Sequence, residues 1–211
     1  MKTKYKFSAL ELKHITLALV ALAISFEFVL FRQQIFVLGM FSLKSLFNFF
    51  IGSIIAVGVS FVLHELAHKF MAESKGLWAE FRAWPAGLLL AVVMAVFTKG
   101  GFVFAAPGAT MISSLKTKGV RATKISKKDI GHIGIIGSVV NVIIAAVFLF
   151  ITSLTGFELA KITSQVNAWL AVFNMIPFGM LDGAKVLFWN KFIWLGFFAL
   201  CIAIFGVTII I

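Results

Sequence analysis

The sequence predicts an all-α polytopic membrane protein, and three observations carry this prediction. Of the 211 residues, 61% are hydrophobic and 13% are charged, and the mean hydropathy is +1.06. Water-soluble chains carry about twice that charged fraction. The apolar residues also form runs near the roughly 20 residues that a helix needs to cross a bilayer core. About five to six transmembrane helices therefore fit in one membrane-embedded domain, residues 1–211.

The main spans follow from the apolar runs, taken in chain order. Residues 1–12 are basic and precede the first run without a small-residue cleavage pattern, so we expect a first span and not a removed signal peptide. Five runs are predicted to span the membrane: 15–31, 45–63, 133–154, 166–181 and 192–211.

A different stretch lies between the second and third runs. Residues 84–98 are apolar but number only about 15, too few for a comfortable crossing. Lys99, Gly100 and Gly101 then interrupt, and residues 102–112 are short and contain both glycine and proline. Because neither piece spans comfortably alone, we expect an excursion that only partly enters the membrane.

Basic residues on both sides of this stretch indicate its topology. Lys69, Lys75 and Arg82 precede it. The densest basic loop follows it: Lys116, Lys118, Arg121, Lys124, Lys127 and Lys128. Lys and Arg mark cytosolic loops, so residues 84–112 should enter and return on one side, as a membrane-dipping or re-entrant hairpin that is partly β. Two short full crossings would satisfy the charges equally well.

The net charge of +11 reports orientation in the membrane and not a nucleic-acid partner. Lys and Arg fall at the ends of apolar runs and in short loops, without an interleaved basic and aromatic surface. Lys2, Lys4, Lys6 and Lys13 put the amino terminus in the cytosol. Cys201 is the only cysteine, which excludes disulfides and cysteine-cluster metal sites. We expect an integral protein of a prokaryotic cell membrane, with the lipid bilayer as its partner.

The strongest chemical signal is the run His64-Glu65-Leu66-Ala67-His68, which continues the second apolar helix. Spacing of i and i+4 places both imidazoles on one helical face, where both can bind one Zn²⁺. Glu65, beside them, can reach a metal-bound water. The alternative is a buried His pair hydrogen-bonded to neighbouring helices, but such groups are too costly in a membrane helix to be left without a partner.

A catalytic zinc site needs a third protein ligand, and Asp182 is the better of two aspartates. Asp129 lies in the Lys-rich loop, where a solvated partner of lysine is the expected role. Asp182 follows an apolar run that returns inward, so its depth should match that of His64 and His68. Asn174 and Pro177 precede it, and we expect them to break the helix so that Asp182 reaches the metal.

These two motifs resemble those of the site-2 protease family of intramembrane metalloproteases. The second motif of that family is an Asn and a Pro followed by Leu-Asp-Gly, and it is similar to residues 174–183 here. The resemblance covers about residues 45–183, and the catalytic core is expected over about residues 45–185. It implies that His64, His68 and Asp182 bind one zinc ion and that Glu65 is the catalytic acid/base. It also implies substrates that are transmembrane helices or membrane-associated segments, cut near the cytosolic leaflet.

A third element of that family, of the type Gly-Pro-x-x-Asn, is similar to residues 137–141, with Ser138 in place of proline. Asn141 is therefore a candidate for a catalytic role, its amide hydrogen-bonding the substrate carbonyl or the developing oxyanion. The alternative is an asparagine that ties helices together. Where family members often have Asp-Gly-Gly-Arg, this chain has Lys185 at the basic position.

The function predicted from these parts is intramembrane zinc endopeptidase activity. Zinc activates a water, and Glu65 takes its proton and passes it to the leaving amide. The substrate helix must first unwind, and an edge strand in the hairpin could pair with it; alternatively, the hairpin merely covers the cavity. There are two alternative functions. The protein could be a catalytically silent relative that binds a membrane partner, or it could be a metal transporter. Another zincin class, with a glutamate ligand in a later helix, would need an acid after Asp182, and the chain has none.

Overall fold

The structure is a computed structural model that describes residues 6–39, 42–114 and 125–211. The helices and strands within these ranges are α1 Ala9–Leu30, α2 Leu43–Val57, α3 Leu63–Ser74, β1 Leu77–Ala83, α4 Pro85–Phe97, β2 Gly108–Ser114, α5 Lys127–Thr155, α6 Glu158–Asn174, α7 Asp182–Trp189 and α8 Lys191–Ile210. Two π-helical segments, Gln33–Val37 and Gly58–Val62, complete the described elements. Part of the orientation argument lies outside the described residues, namely Lys2, Lys4, Lys116, Lys118, Arg121 and Lys124.

The prediction of an all-α polytopic membrane protein is confirmed. In the ranges given above, four helices are long and apolar enough to cross a membrane: Ala9–Leu30, Leu46–Ser74, Lys127–Thr155 and Lys191–Ile210. The second of these runs through α2, the π-helical segment Gly58–Val62 and α3 without a break. A π-bulge inside a long helix is common at functional sites, and this one ends two residues before His64.

The fourth predicted span, 166–181, is wrong in its limits. The helix there, α6, begins eight residues earlier and ends at Asn174. The first half of α6 is polar, so hydropathy does not indicate that it belongs to the helix. Its polar side chains hydrogen-bond to neighbouring helices: Ser164 donates to the carbonyl of Ala145, and Gln165 donates to the carbonyl of Thr208. Pro177 has no N–H to continue the helix, and α6 ends before it.

The stretch between the second and third main spans begins and ends at a two-stranded sheet. Strands β1 and β2 pair antiparallel, with Ala83 opposite Gly108, and Trp84 N–H donates to the carbonyl of Pro107 over 2.8 Å. The 13 residues of α4 leave this point and descend about 20 Å. Residues 102–107 return, and six extended residues reach about the same 20 Å. The hairpin is thus helical on its way out from the sheet and extended on its way back, and its β part lies mostly in the flanking residues.

Helix α1 shows how deep this excursion reaches. Near the sheet, Ala83 N–H donates to His14 Nδ1 over 3.3 Å. At the far tip, Gly100 has φ +73°, and a Cβ there would lie 2.0 Å from the carbonyl oxygen of Phe28. From His14 to Phe28 the helix rises about 21 Å, so α4 runs alongside two-thirds of α1.

Helix α5 is the centre of the packing around the site. It lies against α3, α6 and α7, and α1 and α4 complete one side of the bundle. The main apolar cluster joins α1, the π-helical segment and α6 to the sheet through Leu22, Phe26, Phe61, Phe81 and Leu170. This packing places the first half of α3 and the start of α7 on neighbouring faces of α5.

Candidate active site

Three side chains converge between α3, α5 and α7. His64 Nε2 and His68 Nε2 lie 3.0 Å apart, and Asp182 Oδ2 lies 3.2 Å from the first and 2.8 Å from the second. The i, i+4 spacing sets the two rings edge to face with centroids 4.6 Å apart. All three residues are buried, at 3%, 4% and 5% exposure.

The hydrogen bonds of the two imidazoles define which nitrogens face this triangle. His64 Nδ1–H donates to Asn141 Oδ1 over 2.5 Å, and His68 Nδ1–H donates to the carbonyl oxygen of Ile133 over 2.6 Å. In the neutral rings both Nε2 atoms are then lone-pair acceptors. Two such nitrogens and a carboxylate oxygen repel each other unless a metal ion or a proton lies among them.

The donor set and its dimensions fit Zn²⁺. Tetrahedral coordination at about 2.0–2.1 Å separates ligand atoms by about 3.3 Å, and the three edges of this triangle are 2.8–3.2 Å. Two imidazole nitrogens and one carboxylate are a typical three-ligand set of catalytic zinc sites. The outer hydrogen bonds from Nδ1 are those that orient zinc-bound histidines in other proteins. The predicted ligands His64, His68 and Asp182 are therefore brought together as a candidate metal centre.

Helix α5 approaches the two histidines closely because residue 137 is glycine. A Cβ on Gly137 would lie 2.5 Å from His68 Nε2 and 2.7 Å from His64 Nε2, which is impossible without displacing the rings. The sequence pattern pointed to this residue only as the start of the motif that ends at Asn141. Its role as a close-approach position depends on the packing of α3 against α5.

Asn141 lies behind His64 and not in the cavity. Its Oδ1 accepts from His64, and its Nδ2 donates to the carbonyl of Ser60 over 3.1 Å and to Asn167 Oδ1 over 2.8 Å. Asn167 in turn donates to Ser60 Oγ over 2.6 Å. The fully buried side chain joins three helices and orients a ligand, and a catalytic role of its amide towards the substrate stays a prediction. This arrangement matches the helix-tying alternative.

Glu65 lines the cavity beside the triangle and is held by a strand. Thr110, in β2, donates its hydroxyl to Glu65 Oε2 over 2.7 Å, and Glu65 is 9% exposed. The cavity has about 30 Å³ of water-accessible space, room for about one water molecule. Residues 105–110 form one wall of it. No sequence signal singles out Thr110, because its contact arises only when the returning segment of the hairpin crosses the site.

Asp182 is positioned by the break between α6 and α7. Residues 175–181 are irregular, as the Asn174 and Pro177 positions predict, and Asp182 is the first residue of α7. Gly183 packs so closely that a Cβ there would lie 2.1 Å from the carbonyl oxygen of Met175. Lys185 Nζ donates to Asp182 Oδ1 over 2.8 Å, so the oxygen outside the triangle has its own partner.

The fold and the site together define a membrane-spanning metalloprotein of the His-Glu-x-x-His type. Comparison with curated proteins shows 32% identity over 195 residues, 90% of each chain, to the protein named "Putative zinc metalloprotease MJ0611" of Methanocaldococcus jannaschii. At this identity and coverage, the chain belongs to that zinc metalloprotease family. No family model matches the chain, and no solved structure matches it significantly.

Proposed function

We propose that this protein is an intramembrane zinc endopeptidase of the site-2 protease type. The observation that carries the proposal is the buried acceptor triangle of His64, His68 and Asp182 with the Glu65 carboxylate beside it, inside a helical membrane protein. The proposed substrates are transmembrane helices or membrane-associated segments. We place the protein in a prokaryotic cell membrane with its amino terminus and the opening of the site on the cytosolic side.

Each side chain has a defined part in the proposed hydrolysis. One Zn²⁺ per chain, when bound, lowers the pKa of a water and polarises the scissile carbonyl. Glu65 accepts the proton of the attacking water and passes it to the leaving amide nitrogen. Thr110 holds Glu65 Oε2, which fixes the carboxylate towards the cavity. Asn141 and the carbonyl of Ile133 keep both histidines in the tautomer that presents Nε2.

The substrate strand would lie against β2 in this proposal. Within the described ranges β2 has one neighbouring strand, β1, and its first three residues line the cavity. An unwound substrate that adds to the second edge of β2 would bring a peptide bond next to Glu65 and Asp182. The cavity holds about one water and no side chain, so the substrate must enter as an extended backbone.

The experiment is reconstitution in liposomes with a model transmembrane substrate. We expect Glu65→Gln to retain zinc and to lower the cleavage rate by about 10²–10⁴-fold, because it removes the proton acceptor but no ligand. Glu158→Gln, an exposed position at the start of α6, is the control and should behave like the wild type. Asp182→Ala should lower the zinc content sharply.

The same measurement separates the proposed enzyme from its rivals. A silent relative or a metal transporter predicts that wild type and Glu65→Gln leave the substrate equally intact while both bind zinc. Cleavage at equal rates by both proteins would remove Glu65 from the mechanism.

A further inference from the structure

A second cavity adjoins the candidate active site. It has a volume of about 510 Å³ and lies between the sheet and the loop that leads into Asp182. Its walls are mostly apolar and include Trp84, Phe104, Met111, Phe178 and Met180. We call it the apolar groove. Phe178 and Met111 are 77% and 53% exposed, so the groove is open to an incoming chain.

The apolar groove and the metal cavity share a wall. Ala106, Ala109, Met180 and Leu181 line both spaces. Two of these four have only a methyl group as side chain, so little material separates the spaces there. The metal cavity is too small for a side chain, and a substrate bound at the triangle must place its side chains elsewhere.

The alternation of β2 indicates which substrate residue reaches the groove. Thr110 points to Glu65, whereas its neighbours Ala109 and Met111 line the groove. Successive residues of a strand face opposite sides, so a strand lying beside β2 has the same alternation. When a residue without a bulky side chain faces the metal cavity, the next residue turns its side chain towards the groove.

We propose that the apolar groove is a specificity subsite for a large apolar residue, such as Phe, Leu or Met, adjoining the scissile bond of an unwound substrate. This inference rests on the proposed peptidase function and adds its sequence preference. The occupant follows from the chemistry of the walls and from their continuity with the site. A volume of 510 Å³ is in the range of ligand pockets and accepts any of these side chains.

The test uses a panel of model transmembrane substrates whose unwinding segment is all Ala and Gly except for one Phe. The Phe is moved one residue at a time, and cut sites and kcat/KM are read by mass spectrometry. The wild type is expected to cut at a constant offset from the Phe. It should prefer the Phe substrates over the all-small one by about tenfold or more.

Substitutions in the walls of the groove test whether the groove causes the preference for Phe. Phe178→Ser and Met111→Ser should each reduce the Phe preference towards unity while the zinc content stays at the wild-type level. Phe192→Ser is the matched control, since Phe192 is 74% exposed and does not line the groove. It should keep the full preference.

Two outcomes would overturn the inference while leaving the proposed function intact. In one, the cut site does not move with the Phe. In the other, both groove variants keep the preference of the wild type. Failure of the proposed function looks different, because then no substrate of the panel is cut, or Glu65→Gln cuts as well as the wild type.

Discussion

The imidazole of His64 is fixed at both of its nitrogens, and this explains why a buried asparagine matters at the metal site. Asn141 Oδ1 accepts from Nδ1, while Nε2 faces His68 and Asp182. Asn141 makes its other hydrogen bonds to Ser60 and Asn167, so the amide cannot rotate without losing them. The position of the ligand is therefore set by a network that spans three helices.

Replacement of Asn141 tests this positioning role. Asn141→Leu removes the acceptor for His64, and we expect the zinc affinity to fall by about 10–100-fold. Asn141→Asp keeps the acceptor for His64 but loses the donors to Ser60 and Asn167, so it should bind zinc more weakly than the wild type and more tightly than Asn141→Leu. Competition with a chromogenic chelator measures both. If Asn141 instead contacted the substrate, zinc affinity would not change and only kcat would fall.

At the level of single residues, the sequence predicts those parts of the site that share one helix or that can be found by elimination. His64, Glu65 and His68 follow from i, i+4 geometry, and Asp182 follows from the scarcity of acids and from its depth. Thr110 and Gly137 could not be predicted in their roles. Each acts through a distance between two elements, and packing alone determines such distances.

Glycine at position 137 allows α3 and α5 to approach, and its replacement is a test at the level of elements. Gly137→Ala would place a Cβ 2.5 Å from His68 Nε2, so the ligand must move and the zinc affinity should fall by more than about tenfold. Gly196→Ala, in α8, is the control, because none of the described residues would come within 4 Å of its Cβ. That variant should stabilise its helix by about 0.5–1 kcal/mol. Equal zinc affinity in both variants would contradict the close approach.

A buried ion network joins α1, α3 and the sheet next to the metal centre. Lys69 Nζ donates to both carboxylate oxygens of Glu11 over 3.0–3.1 Å and to the carbonyl of Ala79 over 2.8 Å. It also lies 3.2 Å from Glu73 Oε1. Phe81 N–H donates to Glu11 Oε1 over 3.1 Å, so the acid of α1 also holds β1. Lys69 follows His68 directly, and this network therefore fixes the end of the helix that carries the ligands.

Removal of Lys69, the cation of this network, should strongly lower the stability of the protein. Lys69→Met leaves the buried Glu11 and the half-buried Glu73 without their cation, and we expect a loss of about 3–5 kcal/mol in the free energy of unfolding. Lys75→Met is the control, because its pair with Asp129 is 24% and 29% exposed and contributes at most about 1 kcal/mol. Denaturant titration in detergent measures both. The double variant Glu11→Gln with Lys69→Met should recover part of the loss, and equal stability of both lysine variants would argue against a structural network.

Among the elements, long apolar helices could be predicted from hydropathy, whereas α6 and the hairpin could be predicted only in part. Helix α6 hides its polar side chains in contacts with α5 and α8, which no local pattern reveals. The charges on both sides of residues 84–112 indicate a same-side return. These charges do not determine whether the chain enters as a helix or as a strand, because the packing of α4 against α1 determines this.

The molecule as a whole has two ends, and the candidate active site lies nearer to one of them, about 15 Å along α5 from its first residue to Gly137. The site end collects the sheet, the end of α3, the start of α5 and the irregular residues before α7; Lys75 joins Asp129 there over 2.8 Å. At the other end, Lys161 in α6 donates to the carbonyl of Ile211, which follows α8. The four long helices run between these ends, so in the proposed function the opening of the site would be on one face of the membrane.

The face to which the site opens can be measured on this chain, because Cys201 is its one cysteine and is buried. In a Cys201→Ala background we expect cysteines introduced at Lys75 and Lys191, both at the site end, to resist a membrane-impermeant maleimide in intact cells. A cysteine at Thr155, at the opposite end, should be labelled. The physical reason is the excess of lysine and arginine in the loops of the site end. All three positions should react once the membrane is permeabilised, which controls for accessibility. The reverse pattern would turn the site outwards, and a substrate would then have to present its unwound segment from outside the cell.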